Sequence, residues 1–309
     1  PSKNVNSELR WEQGRNQNIG LDFSLFKNRI SGSLNYYIRK QEDLLGNYNV
    51  PTPPNLYSTI YANVGTLRNT GFEFDITANL IRMKDFTWNM TVVGATNNNK
   101  FVSFSNDIYK GQSYYSTCEM ANPNNPGYLQ RIEEGQRIGN YFTYRYAGVD
   151  KEGDWMVYNK DGKAIPIAEA TEDDKSITGN GLPKFTGSMT HNFVYKNFDL
   201  TISTSFIIDQ TMQETPFYNP SATSPGSNYS NRVSQIWSSS NTTGLYPKVL
   251  GNNENDAMIY NWYNSDDPAN SFKNYDYWFK DMSYLRVNSI RLGYTLPNEV
   301  IKKLRLGSA

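Results

Sequence analysis

Short turns alternate with long connections along this chain, and this rhythm constrains the fold more than any other feature. Four times, two strand-like segments meet across a turn of a few residues. The paired segments are 18–25 with 30–39, 71–81 with 86–97, and 185–195 with 198–208; a fourth pair begins at 284–294, is expected to turn after Leu296-Pro297, and is cut off by the chain end. Short turns at one rim and long loops at the other are typical of a bacterial outer-membrane β-barrel. We therefore predict an all-β, antiparallel transmembrane barrel wall.

Apolar and polar residues alternate along these segments. In the second pair, every even position from Phe72 to Leu80 is apolar, and every odd position from Glu73 to Asn79 is polar. A period of two places one apolar and one polar face on each strand. A soluble sandwich would show the same period, so the alternation alone leaves both folds open.

Strand length and aromatic placement favour the membrane. Globular strands average five to six residues, whereas a membrane-spanning strand needs roughly nine to eleven. An interfacial girdle of aromatic residues is expected at the membrane boundary, and a soluble sheet capped by aromatics is the alternative. The aromatic residues near the short turns are Phe26, Phe86, Trp88, Phe193, Tyr195, Phe198 and Tyr294.

The last strand-like segment, 284–294, changes its apolar phase. Leu285 and Val287 occupy one parity, whereas Ile290 and Leu292 occupy the other. One extra residue at Asn288-Ser289 would restore a single apolar face, so the pattern predicts a β-bulge. A strand that is partly buried on both faces is the alternative.

Composition excludes several functions. Thirty basic and thirty acidic side chains give no net charge, which disfavours nucleic acid as a partner. The chain has one histidine, His191, and one cysteine, Cys118, so no cluster resembles a catalytic or metal site. Asp154, Asn159 and Asp161 do not match calcium-loop spacing and predict a polar turn. We expect no enzymatic activity, no metal and no cofactor.

Several ordered motifs resemble the SusC/RagA group of TonB-dependent outer-membrane transporters. They cover essentially the whole chain in the expected order. They are LRWE at 9–12, NIGLDF at 18–23, NVGTLRNTGFE at 63–73, EGQRIG at 134–139, GLPKF at 181–185, NFDL at 197–200, SYLRV at 283–287 and GYTLP at 293–297.

The resemblance implies an architecture and a function. Members of the group are barrels of about 22 strands with a plugged lumen, so residues 1–309 would form about half of one barrel domain. The plug, the N-terminal accessory domain and the TonB-engaging segment would precede Pro1, and the closing strands would follow Ala309. The resemblance further implies active import of oligosaccharides or peptides with the TonB complex and a SusD-like surface lipoprotein, in contact with outer-membrane lipid.

Two sets of residues are candidates for ligand contact. On the polar strand faces, Asp22, Glu73, Asp75 and Asp199 are expected to face the lumen. Long loops are expected at 45–67, at 100–134 and from about 209 to 274, and aromatic rings in loops contact sugars or partner proteins. The loop candidates are Tyr114, Tyr115, Trp237, Tyr246, Tyr260, Trp262 and Tyr263.

Two functions from different classes remain at this point. The first is the wall of an outer-membrane nutrient transporter, and the second is a soluble cell-surface β-sandwich that binds carbohydrate. A sandwich has no reason to keep every second connection short, so the loop asymmetry favours the transporter.

Overall fold

The computed structural model describes residues 4–104, 113–119, 128–213, 234–235, 237–245, 276 and 279–303. Almost all regular structure in these ranges is β-strand. The elements are β1 Gln13–Leu25, β2 Ile30–Asn49, β3 Thr59–Arg82, β4 Phe86–Thr96, β5 Asn98–Ser103, β6 Tyr114–Glu119, β7 Tyr128–Glu133, β8 Asn140–Val149, β9 Trp155–Tyr158, β10 Ala164–Pro166, β11 Lys175–Asn180, β12 Phe185–Tyr195, β13 Phe198–Ile208, β14 Thr211–Gln213, β15 Phe279–Asp281, β16 Tyr284–Tyr294 and α1 Asn298–Lys303. No helix among the described residues is long and apolar enough to cross a membrane.

The chain divides into two compact units. Unit 1 comprises Pro1–Gln112, Pro183–Gln210 and Met282–Ala309, and unit 2 comprises Ser113–Leu182 and Thr211–Asp281. Unit 1 holds one eight-stranded antiparallel sheet in the order β1-β2-β3-β4-β12-β13-β16, with β5 paired to β3. The three complete hairpins predicted from the short turns are confirmed, and so is the strand predicted at 284–294.

The strands are long enough to span a bilayer. The main strands of unit 1 run from 11 to 24 residues. At about 3.3 Å per residue, an eleven-residue strand is about 36 Å long. With the usual tilt of about 40°, it covers about 28 Å along the membrane normal, close to the apolar band of a membrane barrel.

The prediction of a long loop at 45–67 is wrong. Strand β2 continues to Asn49 and β3 begins at Thr59, so only residues 50–58 connect them. These strand extensions stay paired because Tyr48, opposite Ile60 in the register, is buried with it. The loop predicted at 100–134 is likewise interrupted by β5, β6 and β7 within the described residues.

The predicted bulge in β16 is confirmed. Ser203 of β13 pairs with Ser289, and the next residue, Thr204, pairs with Val287, so Asn288 is the extra residue. Its side-chain Oδ1 accepts a hydrogen bond of 3.1 Å from the hydroxyl of Ser205. The bulge keeps the apolar residues on both sides of it on one face of the sheet.

A second bulge, which the alternation did not predict, interrupts β3. The pairing with β4 passes from Asn79 to Ile81, so Leu80 is the extra residue. Leu80 therefore ends the regular alternation that begins at Phe72, and Ile81 takes the position opposite Trp88.

The apolar face of the unit 1 sheet is open. Ile19 on β1 is 75% exposed, and Leu292 on β16 is 70% exposed. Within the described part of unit 1, the eight-stranded sheet is the only sheet, so no second layer of strands covers this face. A continuous apolar surface of this kind is suited to contact with lipid.

Two aromatic clusters border this apolar face. Near the short turns, Trp88 stacks on Phe193 with ring centroids 5.4 Å apart, and its indole N–H donates to Nδ1 of His191 at 3.3 Å. At the opposite end of the same strands, Phe185 packs against Phe74 and Phe206. The eight residues from Phe185 to Phe193 correspond to about 20 Å along the membrane normal at the usual tilt. The sequence predicted the first girdle but not the second.

Glycine makes room for the second aromatic cluster. Gly187 of β12 lies opposite Gly94 of β4 and Phe206 of β13. A Cβ at Gly187 would lie 2.5 Å from the Phe206 ring and 2.6 Å from the backbone oxygen of Val93. The ring lies directly against the glycine, a packing arrangement that also pins strand register.

We expect Gly187→Ala to lower the free energy of unfolding by about 1–3 kcal/mol, because the new methyl group must displace backbone as well as an aromatic ring. Gly46→Ala is the matched control, because no atom lies within 4 Å of the position of its Cβ. The urea midpoint of the full-length protein in detergent measures both effects. Equal midpoints for the two variants would contradict this packing.

Unit 2 is built from the long connections and contains its own sheets. A six-stranded antiparallel sheet has the order β10-β9-β8-β7-β6, with β11 paired to β8, and β14 pairs with β15. Its packing centres on Tyr144, Trp155 and Val157, which are all buried. The rings of Trp155 and Tyr146 pack edge to face, with their centroids 4.8 Å apart. The sequence did not predict this sheet.

Candidate functional site

On the polar face of the unit 1 sheet, three of the four predicted carboxylates lie in neighbouring rows. A row is a set of residues that are in register across adjacent strands. Asp22 of β1 is in register with Ser33 of β2, which is in register with Asp75 of β3. Glu73 lies opposite Asn35, one row away. All three carboxylates are exposed, so this part of the sheet presents a wet, negatively charged surface.

Asp199 lies on the same face but in a different region. Six residues separate it from Ser205, which belongs to the row of Asp75, so the two regions are about 20 Å apart along the strands. Asp199 and Lys196 line a cavity of about 330 Å³ at the short-turn end of β12, β13 and β16. The four carboxylates therefore do not form one site.

A second polar cavity, of about 290 Å³, opens on the same face of β1, β2 and β3. Its lining residues are Asn16, Gln17, Asn18, Asn35, Tyr37, Arg39 and Glu73. The register explains why these side chains meet, since Asn16 pairs with Arg39, Asn18 with Tyr37, and Asn35 with Glu73. Of this group, only Glu73 is predicted from the sequence, although Asn16, Asn18 and Asn35 lie on the same polar face.

Two glycines are in register with residues that line this cavity. Gly71 is in register with Tyr37, and a Cβ there would collide with the tyrosine ring and with the backbone oxygen of Thr96. Gly20 is in register with Asn35, and a Cβ there would lie 2.5 Å from the amide oxygen of Asn35. The strand predicted to begin at Gly71 begins twelve residues earlier in the structure, at Thr59.

The predicted loop aromatics fall into three groups. Tyr114 and Tyr115 lie in β6 of unit 2, where both are exposed. The guanidinium carbon of Arg131 lies 4.1 Å from the ring centroid of Tyr114 and 3.6 Å from that of Phe142. Trp237 is half-buried. The remaining candidates, Tyr246, Tyr260, Trp262 and Tyr263, lie outside the described residues. Ligand contact by any of them stays a prediction.

Polar groups of Asp276 and Tyr146 tie distant segments of unit 2 together. A carboxylate oxygen of Asp276 accepts the backbone N–H of Tyr146 at 2.6 Å, and the Tyr146 hydroxyl donates to the backbone oxygen of Leu245 at 2.8 Å. Burial raises the pKa of the Asp276 carboxyl above its ordinary value. Burial likewise raises the pKa of the Tyr144 phenol.

Asp174 joins two turns of unit 2. Its carboxylate accepts hydrogen bonds from the backbone N–H and hydroxyl of Thr171, at 2.8 and 3.0 Å, and from the backbone N–H of Lys160 at 3.0 Å. These bonds, that of the Thr171 N–H foremost, hold the pKa of Asp174 below its ordinary value. A carboxyl with a lowered folded-state pKa stabilises above its unfolded pKa and loses that effect as pH falls through the folded value.

We expect Asp174→Ala to release the turn at 159–163 and to make unit 2 more sensitive to protease. In the wild type, the same sensitivity should rise only as the pH falls below the ordinary carboxyl pKa of about 4. Limited proteolysis of the full-length protein across a pH series measures both. Asp173→Ala, at the exposed neighbouring carboxylate, is the control, and equal cleavage of the two variants would contradict the role of Asp174.

Two other features are structural. Asn159 Oδ1 accepts the backbone N–H groups of Asp161 and Lys163, which confirms the predicted polar turn. Asp150, Glu152 and Asp154 bring their carboxylates close together, but Asp150 Oδ1 already accepts the backbone N–H groups of the other two.

Together, these features define a class of protein. Long antiparallel strands carry an open apolar face bordered by two aromatic clusters, and a polar face opposite it. Short turns join the strands at one end. This is the wall of a membrane-spanning β-barrel.

Comparison with known proteins gives the family. Residues 1–306 match the family model of the TonB dependent receptor-like β-barrel, and the chain belongs to this family. The TonB-dependent receptor P3 of Formosa agariphila is 28% identical over 98% of this chain, and the TonB-dependent receptor SusC of Bacteroides thetaiotaomicron is 26% identical over 96%. A solved structure of the RagAB peptide transporter superposes on 97% of the chain with a TM-score of 0.68 at 22% identity.

The predicted SusC/RagA resemblance, the barrel fold and the outer-membrane location are thereby confirmed. The chain spans 29% of the P3 receptor, 27% of SusC and 30% of the RagAB transporter chain. The family is one of transporters and receptors rather than of enzymes. The sandwich alternative has no support, since the apolar face of the main sheet is open and the chain matches barrels along its length.

Proposed function

We propose that this chain forms part of the wall of a TonB-dependent outer-membrane importer of oligosaccharides or peptides. The observation that carries the proposal is the opposition of the two faces of the unit 1 sheet. One face is apolar and open over strands long enough to cross a bilayer, and the other presents carboxylates, amides and a polar cavity. A water-filled or plugged lumen requires such a polar inner face.

The partners follow from the same proposal. The segments that fill the lumen and engage TonB would lie outside residues 1–309, as would the strands that close the barrel. A SusD-like surface lipoprotein would contact the long connections, which in this chain fold into the sheets of unit 2. The exposed rings of Tyr114, Tyr115 and Tyr128 offer amphipathic contact area for such a partner or for a sugar face.

Uptake by the source cells tests the function. Cells in which the full-length gene is deleted are compared with complemented cells for import of labelled oligosaccharide and peptide mixtures, with and without a protonophore. We expect import only in complemented, energised cells. Import that survives the protonophore or the deletion would contradict a TonB-dependent importer.

Fractionation tests the architecture. An antibody against residues 18–39 is expected to detect a band in the outer membrane at well over twice the 35.4 kDa of this chain. Co-purification of a surface lipoprotein with that band supports the lipoprotein partner. A soluble band near 35.4 kDa would contradict both the barrel-wall assignment and the longer protein.

A further inference from the structure

The cavity of about 290 Å³ on β1, β2 and β3 contains a cation without an ionic partner. Arg39 is exposed, and no carboxylate forms an ion pair with it among the described residues. Its guanidinium instead lies over the ring of Tyr37, 5.0 Å from the ring centroid. Stacking on an aromatic face limits the orientations of the guanidinium and leaves its N–H donors available.

The groups around Arg39 are hydrogen-bonding groups without charge. Asn16 is in register with Arg39 on one side, and Asn69 on the other. The amide oxygen of Asn69 is buried and has no hydrogen-bond donor within the described residues, although buried amides are almost always paired. Asn69 does not line the cavity, whose own uncharged hydrogen-bonding side chains are the amides of Asn16, Gln17, Asn18 and Asn35 and the phenol of Tyr37.

The single carboxylate of the cavity lies away from this cation. Glu73 pairs with Asn35, four residues along β3 from Asn69, which corresponds to about 13 Å. The Arg39 end of the cavity is therefore positive, and the Glu73 end is negative. The amides of Asn18 and Asn35 and the side chain of Tyr37 line the space between them.

We propose that this cavity is a ligand subsite of the lumen wall that binds a polar ligand through a carboxylate on Arg39. The guanidinium matches a carboxylate in a bidentate geometry, and the asparagine amides match neighbouring hydroxyl or peptide groups. The carboxylate belongs to a uronic acid in an oligosaccharide or to the C-terminus of a short peptide. This inference rests on the proposed import function and names the part of the wall that selects the ligand.

Arg286 provides a matched control. It lies on the polar face of β16, at the opposite edge of the same sheet, and stacks on Tyr284 at 4.9 Å. It is exposed like Arg39 but does not line the cavity. Replacing either arginine removes one cation and one stacking contact from the same face, so only the position differs.

Binding to the purified full-length transporter tests the subsite. The probes are two matched pairs: trigalacturonic acid with neutral galactotriose, and triglycine with its C-terminal amide. For the pair that the transporter recognises, we expect the wild type to bind the carboxylate form more tightly. Arg39→Gln should weaken that form by roughly tenfold or more, as the loss of a hydrogen-bonded charge pair implies. The affinity of Arg39→Lys for the carboxylate form should lie between those of the wild type and Arg39→Gln. The affinity of Arg286→Gln should equal that of the wild type.

The two pairs identify the source of the carboxylate. If binding of trigalacturonic acid depends on Arg39, the natural ligand is an acidic oligosaccharide. If binding of triglycine depends on Arg39, the natural ligand is the C-terminus of a peptide. Equal binding of the carboxylate and neutral forms, or an equal loss in Arg39→Gln and Arg286→Gln, overturns the subsite. Occupation of the cavity by another segment of the protein would give this result, since the probes could not reach Arg39.

The proposed function fails separately from this inference. If complemented cells import ligands and Arg39→Gln imports them as well as the wild type, the subsite is wrong and the importer stands. If complemented cells import neither oligosaccharides nor peptides, both proposals are wrong. Folding of each variant is verified by its urea midpoint before binding is measured.

Discussion

Deleting Thr190 from β12 is expected to prevent the barrel from folding, whereas deleting Asn288 from β16 is expected to be tolerated. Strand β12 pairs with both neighbours in unbroken register over its eleven residues. With one residue removed, the segment on one side of the cut moves by one position and turns to the other face. Phe185 and Met189 would then enter the polar face, at a cost of about 1.5–3 kcal/mol for each side chain.

Asn288 differs because it is already the extra residue. Without it, Ser289 still pairs with Ser203 and Val287 with Thr204, so every other side chain keeps its face. The loss is confined to the hydrogen bond from Ser205, which contributes about 0.5–1.5 kcal/mol, and to the local twist of the bulge.

The amount of folded, full-length protein in the outer membrane measures both deletions. We expect near wild-type amounts for the Asn288 deletion and a large loss for the Thr190 deletion. Asn288→Ala, which keeps the residue count, separates the hydrogen bond from the bulge. If both deletions are equally harmful, the assignment of Asn288 as a bulge residue is wrong.

Ile202→Arg is expected to destabilise the protein by about 2–4 kcal/mol, whereas Ser203→Arg should change stability by less than about 0.5 kcal/mol. The two residues are neighbours near the middle of β13, and they point to opposite faces because strand side chains alternate. An arginine at position 202 would face lipid at mid-depth. An arginine at position 203 would face the polar lumen.

Denaturant unfolding of the full-length protein in lipid vesicles measures this difference. Wild-type stability in Ser203→Arg together with a strong loss in Ile202→Arg supports the assignment of the two faces. The reverse order would mean that the apolar face does not contact lipid. Detergent-solubilised protein provides a second comparison, in which the cost at position 202 should fall.

The hairpins and the bulge were predictable because they depend on local information. Turn residues such as Lys196-Asn197 mark the ends of strands, and alternation assigns each residue to a face without knowledge of its neighbours. The apolar phase changes between Val287 and Ile290 within a single strand. The extra residue must therefore be Asn288 or Ser289, which locates the bulge from the sequence. The extensions of β2 and β3 are not predicted from the sequence, because their polarity is mixed and the prolines at 51, 53 and 54 favour a long loop.

The cavity around Arg39 required the tertiary structure. Asn18, Tyr37 and Gly71 are distant in sequence, and they form one row only because the registers of β1, β2 and β3 coincide there. Gly94 and Gly187 likewise matter only because aromatic rings from other strands cover them.

By itself, the sequence determined the strand hairpins, the two faces of each strand and the family resemblance, because side-chain alternation and turn residues act over short distances. The tertiary structure alone decided which strands are neighbours, that the long connections form the sheets of unit 2, and which polar side chains share a cavity. These features depend on pairings between segments up to about a hundred residues apart, such as β4 with β12. No local pattern encodes such pairings, since any two long, alternating strands satisfy the same hydrogen bonds.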